Sequence, residues 1–424
     1  MQIKRIHIQG FKSLEDVTFE PETGFGCLVG SNGAGKSNFC DALLFFKSVV
    51  LNGFQRTIEE VGYNNIFPID NNTGGYASFE LDFVDVLPSS YSLKINASEN
   101  KIVSEKIILN GIVFYERTEE VSKFFDREKY DEWNEATSIN QKKFEKLIVD
   151  LKSGEIKELS EIDQALQFLQ QHNDELQEGL LIRKTVPNFL ARISENLELS
   201  HDKTGLASFF DNFSLYDFMN GLQIFRVNPL SPKVPNKVFN KSNLLMHSEN
   251  LATILSELKQ DEEKWQTLHD WLNLIVPSIS EVQVRQGEFD NSLNLQFIEN
   301  NKALPAVSIS DGTIYTLAIL TAILWNIDKK TLIVIEEPER GIHPQAITEL
   351  INFIREATEQ NLNIITTTHS ETFVRNCKLE ELWIVDKIDG KTQLKSAKKE
   401  NPHLEESSLD QAWLMNLFNG GLPW

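Results

Sequence analysis

Cysteine is scarce in this chain. Cys27, Cys40 and Cys377 are three scattered thiols in 424 residues, carry no metal-ligand spacing and fit a reducing cytosol. Long apolar runs are also missing. The longest, near residues 316–327, is too short to span a bilayer. The opening Met1-Gln2-Ile3-Lys4-Arg5-Ile6 has none of the apolar block of a signal peptide. These absences lead to the expectation of a cytoplasmic protein with no membrane partner. Positive charge is short as well: 41 Lys and Arg stand against 62 Asp and Glu, for a net charge of −21 and a pI of about 4.9. Such a surface repels phosphate backbones at long range, so DNA is not indicated as a partner by charge. Lys391, Lys395, Lys398 and Lys399 could form a local basic patch, although a solvated face explains them as well. No internal repeat or sustained heptad run is present.

What remains is a globular chain of 41% hydrophobic content, long enough for two or three domains. Strand-like alternation occupies residues 1–30 and recurs at 76–84, 92–96 and 106–115. The pattern changes near 116. Phe144, Leu147, Ile148 and Leu151, then Ile162, Leu166 and Leu169, recur at helical spacing. This predicts a helical insertion over 116–221 between an N-terminal lobe, 1–115, and a C-terminal lobe, 222–424. The C-terminal lobe alternates elements: strand 222–227, helix near 251–258, strands near 282–284 and 293–297, an all-round apolar helix over 313–327, strand 331–336, helix 345–358, then strands 362–367 and 382–386. Such alternation predicts an α/β fold with a mixed, largely parallel sheet.

Three distant segments read as one nucleotide site. Gly30-Ser31-Asn32-Gly33-Ala34-Gly35-Lys36-Ser37 fits GxxxxGK(S/T) in full, with an apolar strand before it and a helix after it. Its glycines admit backbone N–H groups close to phosphates, and the following helix start favours negative charge. Lys36 is expected to reach the β- and γ-phosphates of ATP, and Ser37 to bind Mg2+. Asn38 completes the segment. Glu336 and Glu337 close the apolar strand 332–335. The first is expected to hold the metal, and the second to orient the attacking water. Glu339 reads as structural. His369, after Thr366-Thr367-Thr368, is placed to hydrogen-bond the γ-phosphate. Ser308-Ile309-Ser310-Asp311-Gly312-Thr313 precedes the apolar helix. Helix capping by Ser310 or Asp311 explains it; a second anion-binding helix start, using Ser310 and Gly312, is the functional reading.

Together these segments resemble the ATP-binding-cassette class of P-loop ATPases, in particular its RecF-like and OLD-like branch of AAA family ATPases. Ile8-Gln9-Gly10-Phe11-Lys12-Ser13-Leu14, the glycine loop, Ser-Asp-Gly-Thr, Glu-Glu-Pro-Glu-Arg-Gly-Ile-His-Pro, Thr-Thr-His-Ser and the C-terminal Leu-Phe-Asn-Gly-Gly-Leu-Pro carry the resemblance. It covers about 1–115 and 222–424. The resemblance implies an ABC-type ATPase head, hydrolysing ATP with Mg2+, that self-associates as a dimer or higher assembly. In such a pair, Ser310 and Gly312 of one head cover the nucleotide held by the other, and Gly341-Ile342-His343-Pro344 lines the interface. Asp311 replaces the first glycine of the transporter-type signature. Tyr315 stands where relatives often carry arginine. The usual magnesium-binding glutamine has no clear counterpart, with Gln55 a poorly placed candidate. By analogy the head controls a separate effector such as a nuclease, in anti-phage defence. About 55 residues follow His369, too few for the nuclease domain of OLD-type chains. The alternatives are a RecF- or SMC-like repair ATPase acting directly on DNA, and a transporter subunit, which the altered signature disfavours.

Overall fold

Phe25–Val29 (β3) is buried at every position, as are Asn363–Thr368 (β14) and all but the last residue of Leu332–Glu336 (β13). Apolar runs of this kind form strands covered on both faces. A computed structural model describes residues 1–62, 66, 75–84, 89–109, 112–118, 122–124, 214–236, 243–287, 292–404 and 408–421. In it the three strands lie side by side in a six-stranded sheet. The remaining members are Gln223–Phe225 (β9), Leu382–Ile388 (β15) and Lys391–Ser396 (β16), in the order β16-β15-β3-β14-β13-β9. All neighbours run parallel except the β15–β16 hairpin. The mixed, largely parallel sheet expected from the sequence is therefore present.

Alternation along these strands divides the interior into two cores. Cys27, Ile333 and Ile335 face one, with Leu28, Leu332 and Val334 facing the other. The first core is filled by helices Leu251–Leu258 (α4), Glu262–Ile275 (α5), Asp311–Asn326 (α6) and Pro344–Glu359 (α7). From Thr313 to Leu324, α6 is buried at every position, which accounts for its lack of a polar face. A three-stranded sheet, Ile279–Gln286 (β10), Leu293–Glu299 (β11) and Lys302–Pro305 (β12), packs beside them.

The second core joins the helix Lys36–Asn52 (α1) to a seven-stranded antiparallel sheet, β2-β1-β4-β5-β6-β7-β8. Its strands are Gln2–Phe11 (β1), Leu14–Phe19 (β2), Tyr76–Val84 (β4), Ser89–Asn96 (β5), Lys101–Leu109 (β6), Ile112–Arg117 (β7) and Ser122–Phe124 (β8). Phe46 of α1 stacks on Phe79 of β4 at 5.1 Å and on Tyr91 of β5 at 5.6 Å. Stretch 106–115, read as part of one strand, is instead a hairpin, with Leu109 opposite Ile112. A turn between two apolar runs carries little signature when it is this short.

The sheet continues past residue 115 through β8, and Ser214–Gly221 (α3) already returns to the same core through Leu215, Phe218 and Met219. The helical spacing of Phe144–Leu169 lies outside the described residues. Phe54–Val61 (α2), Glu371–Asn376 (α8), Ala397–Glu400 (α9) and Leu409–Leu414 (α10) complete the described α-helices. Among the described residues no helix is long and apolar enough to cross a membrane.

One buried side chain ties the two sheets together. Asn363 Oδ1 accepts from Ile3 N at 2.9 Å, and Asn363 Nδ2 donates to Met1 O at 2.8 Å and Thr331 O at 3.0 Å. Asn363→Leu would take this acceptor from Ile3 N and this donor from Met1 O in a dry interior, while Thr331 O keeps its bond from the Asn363 backbone N–H. It is expected to destabilise the fold by about 2–4 kcal/mol, read as an earlier urea-unfolding midpoint. An unchanged midpoint would mean that the sheets are held without this bridge.

Candidate functional site

Strand register decides which residues meet. Val29 stands opposite Thr368, and Thr367 opposite Glu336. The ends of β3, β13 and β14 therefore reach one edge of the sheet, where parallel α/β sheets bind ligands. The glycine loop leaves β3 at Gly30 and enters α1 at Lys36. Residues at two loop positions could not carry a side chain. A Cβ on Gly30 would lie 2.1 Å from Val385 O, and one on Gly35 would lie 2.0 Å from Thr392 Oγ1. Gly35 is also left-handed, with φ of 111°. Thr392 Oγ1 donates to Ala34 O at 2.9 Å and lies 2.6 Å from Ser13 Oγ, which accepts from Asn38 Nδ2 at 2.6 Å. The loop is thus braced from β16 and from the β1–β2 turn. Ser31, Asn32 and Gly33 form its outer bend.

Lys36 is buried. Its ammonium donates to Gly30 O at 2.7 Å and Ser31 O at 2.9 Å. Burial lowers its pKa, against the nearby carboxylates of Glu337 and Glu339. Bonds from an ammonium to phosphate oxygens are charge-assisted and roughly twice as strong as neutral ones. Lys36 can exchange its loop carbonyls for a phosphate without moving across the site.

Ser37 Oγ donates to Glu336 Oε2 at 3.3 Å, bringing together residues that are 299 positions apart. A hydroxyl and a carboxylate at this separation supply hard oxygen donors of the kind Mg2+ takes alongside nucleotide phosphates and water. Among the described residues no group of three or more His, Cys, Asp or Glu could hold a metal by itself. The residues present therefore fit a magnesium ion held jointly with nucleotide.

Glu337 follows at the strand end with φ of 50°. A non-glycine residue in this region costs roughly 1–3 kcal/mol. Glu337 N donates to Thr367 O at 2.9 Å. Tyr315, buried on α6, shares its hydroxyl proton between Glu336 O at 2.8 Å and Glu337 O at 2.9 Å. The strain thereby turns the Glu337 side chain toward His369, whose Nδ1 lies 3.1 Å from Glu337 Oε1. Tyr315 thus braces the acids within its own chain, a role the sequence did not suggest. Burial pushes its phenol pKa up, with Glu339, Glu337 and Glu336 adding to the shift. Glu339 is buried and accepts from Thr368 Oγ1 at 2.5 Å. Burial raises its carboxyl pKa, with the Thr368 bond opposing.

Arg226, immediately after β9, was not singled out from the sequence. Its Nε donates to Glu336 Oε1 at 2.8 Å, and its Nη2 pairs with Asp41 of α1, which also pairs with Lys12. Burial pulls the Arg226 pKa down, but its bonds to Asp41 and Glu336 outweigh that and raise it overall. An isolated arginine after a short edge strand carries no motif, so only the tertiary contact identifies it.

Ser310 caps α6 by accepting from Thr313 N at 3.2 Å, which is the capping geometry expected. Ser310 and Asp311 remain exposed, and Lys233 Nζ donates to Asp311 Oδ1 at 2.5 Å. Gly312 is required in the chain itself: a Cβ there would lie 1.9 Å from Gly341 O. The signature segment and the Gly341–Pro344 turn are therefore packed against each other, with His343 exposed at the start of α7. Gln55 does not join the site. It lies on α2, beyond the 17-residue α1, which is about 25 Å long at 1.5 Å per residue. Its side chain donates instead to Glu59 at 3.2 Å.

Lys36→Ala removes the only side-chain ammonium in the loop and is expected to abolish ATP binding, measured by equilibrium dialysis with labelled nucleotide. Normal binding by this variant would remove the loop from the site.

Comparison with known proteins agrees with this geometry. Residues 25–375 match the family described as "AAA domain, putative AbiEii toxin, Type IV TA system". A Helicobacter pylori protein described as an ATP/GTP phosphatase is 22% identical over 379 residues, covering 88% of this chain and 86% of that one. A stretch of 82 residues is 33% identical to the DNA double-strand break repair Rad50 ATPase of Sulfolobus acidocaldarius, covering 19% of this chain and 9% of that one. Among solved structures, an SMC head bound to the C-winged helix domain of ScpA shares the fold, with a TM-score of 0.50 at 13% identity, over 93% of this chain and 97% of that one. Because the family match begins at the strand leading into the glycine loop and runs past the histidine strand, the chain belongs to this AAA-domain family and is an ATPase, with the fold of an SMC head.

Proposed function

We propose that this ATPase uses Mg2+ and ATP to pair two heads face to face, and that pairing controls a separate effector protein, a nuclease in anti-phage defence. The observation that carries the reading is the split disposition of the site residues. Glycine loop, Glu336, Glu337 and His369 converge within one chain, whereas Ser310 and Asp311 are left exposed at the start of α6. A second head offers Ser310 and the Gly312 backbone a γ-phosphate to cover, and the Gly341–Pro344 turn packed behind Gly312 would lie at the same interface.

Within this reading the loop N–H groups and Lys36 hold the phosphates. Ser37 and Glu336 hold the metal, whose chemistry is neutralisation of charge on the β- and γ-phosphate oxygens. Glu337 accepts a hydrogen bond from the attacking water and takes up its proton. His369, set against Glu337, contacts the γ-phosphate and registers its loss. The family description names an AbiEii toxin of a Type IV TA system, which supports a place in a system built around an effector.

A direct role on DNA is the second reading, favoured by the short Rad50-like stretch and opposed by the net charge of −21. Salt-sensitive DNA affinity of the isolated chain would promote it.

Glu337→Gln should bind ATP normally, slow turnover on the order of a hundredfold or more, and accumulate ATP-bound dimers in analytical ultracentrifugation. Wild-type turnover would assign the water to another group. Ser310→Arg should leave ATP binding to the monomer intact while reducing hydrolysis and dimer formation; unaltered hydrolysis would argue against a shared site.

A further inference from the structure

Four charged side chains form a line behind the proposed metal ligands. Lys12 sits in the β1–β2 turn with a left-handed φ of 48° and pairs with Asp41 on α1. Asp41 accepts from Arg226, and Arg226 donates to Glu336 Oε1 at 2.8 Å. Glu336 Oε2 then accepts from Ser37 at 3.3 Å. The two oxygens of Glu336 thus have different partners, one fixed by a guanidinium and one directed at the hydroxyl of the phosphate loop. All four groups are partly buried, with side-chain exposures between 16% and 30%, so their interactions are only partly screened by solvent.

We propose that Arg226 is a positioning residue that occupies one oxygen of Glu336 and aims the other at the metal side of Ser37, with Asp41 and Lys12 fixing the guanidinium. The inference rests on the reading of Ser37 and Glu336 as the metal-side ligands. Arg226 touches neither nucleotide nor metal in this scheme; it acts through Glu336. Arginine suits the task because its planar fork reaches two carboxylates in one fixed geometry, Nε to one and Nη2 to the other, whereas an ammonium on a flexible stem offers no such fixed spacing. Groups that orient a metal-binding side chain typically change metal affinity or activity by 10–100-fold when removed. The three supporting residues come from separate segments of the chain, the β1–β2 turn, α1 and the exit from β9, so the orientation of Glu336 depends on the docking of all three.

The test separates positioning from folding and from the site reading itself. Arg226→Met and Arg226→Lys are compared with wild type in three measurements: thermal unfolding, binding of a fluorescent ATP analogue with Mg2+ removed by chelation, and the strengthening of that binding as Mg2+ is added. Arg226→Met should keep metal-free nucleotide affinity within about threefold, lose most of the Mg2+-dependent strengthening, and lower kcat by roughly 10–100-fold. Arg226→Lys should fall between the two. Asp41→Asn should shift the Mg2+ response in the same direction by a smaller factor. Unchanged Mg2+ response and kcat in Arg226→Met would overturn the proposal. So would equal loss of metal-free binding and thermal stability, which would make the arginine a structural brace. Glu336→Gln is the control for the underlying reading. If it too turned over at the wild-type rate, the metal assignment itself would fail. If it were slow while Arg226→Met was normal, only the role of Arg226 would be lost.

Discussion

Parallel pairing of β3 with β14 is the contact on which the site depends. Five consecutive positions, Phe25 to Val29, lie beside Ile364 to Thr368, more than 330 residues later in the chain. Parallel strands need long crossover connections, and closing a long loop costs entropy only slowly as it lengthens. The fold can therefore place a large segment between the halves of its site. Alternation along β3 then fixes the rest: one face carries the α1 side and the antiparallel sheet, and the other carries α6 and α7. A slip of one residue would exchange those faces and misalign Val29 with Thr368, so the cores and the site enforce the same register.

At the edge this pairing creates, acidic residues are crowded. Glu336, Glu337 and Glu339 fall within four positions, in a chain that is already strongly acidic. Each carboxylate has its own compensation. Arg226 and Ser37 serve Glu336, His369 stands by Glu337, and Thr368 donates to the buried Glu339. Tyr315 holds the backbone that carries the first two. Unpaired buried charge is costly, so the polar partners are as much a condition of folding as of chemistry. The left-handed backbone at Glu337 fits the same account, since strain persists only where surrounding contacts over-determine it.

Much of this architecture was legible beforehand because its signals are local. The Tyr76–Val84 strand showed as alternation, α6 as an unbroken apolar run, and Gly30–Ser37 as glycines at fixed spacing before a helix. Helix α5 escaped notice. Its buried positions, Leu268, Leu272 and Ile275, are separated by polar residues that dilute the apolar stripe. The hairpin between β6 and β7 was hidden by continuous β propensity on both sides of it. Gln55, a poorly placed candidate from the sequence, stays apart for a geometric reason: a motif search sees order along the chain, while the length of α1 sets distance in space.

The sequence by itself determined the glycine loop, the acid-tipped strand and the capped apolar helix. Each is specified by residues within a few positions of one another. Only the tertiary structure decided that Arg226 holds Glu336, that Tyr315 braces the acids within its own chain, that Thr392 supports the loop, and that Gly312 must lack a side chain to fit against Gly341. These contacts join residues from 21 to 358 positions apart. Nothing in the local chemistry of an arginine or a threonine names a partner that the folding of several separate strands brings to it.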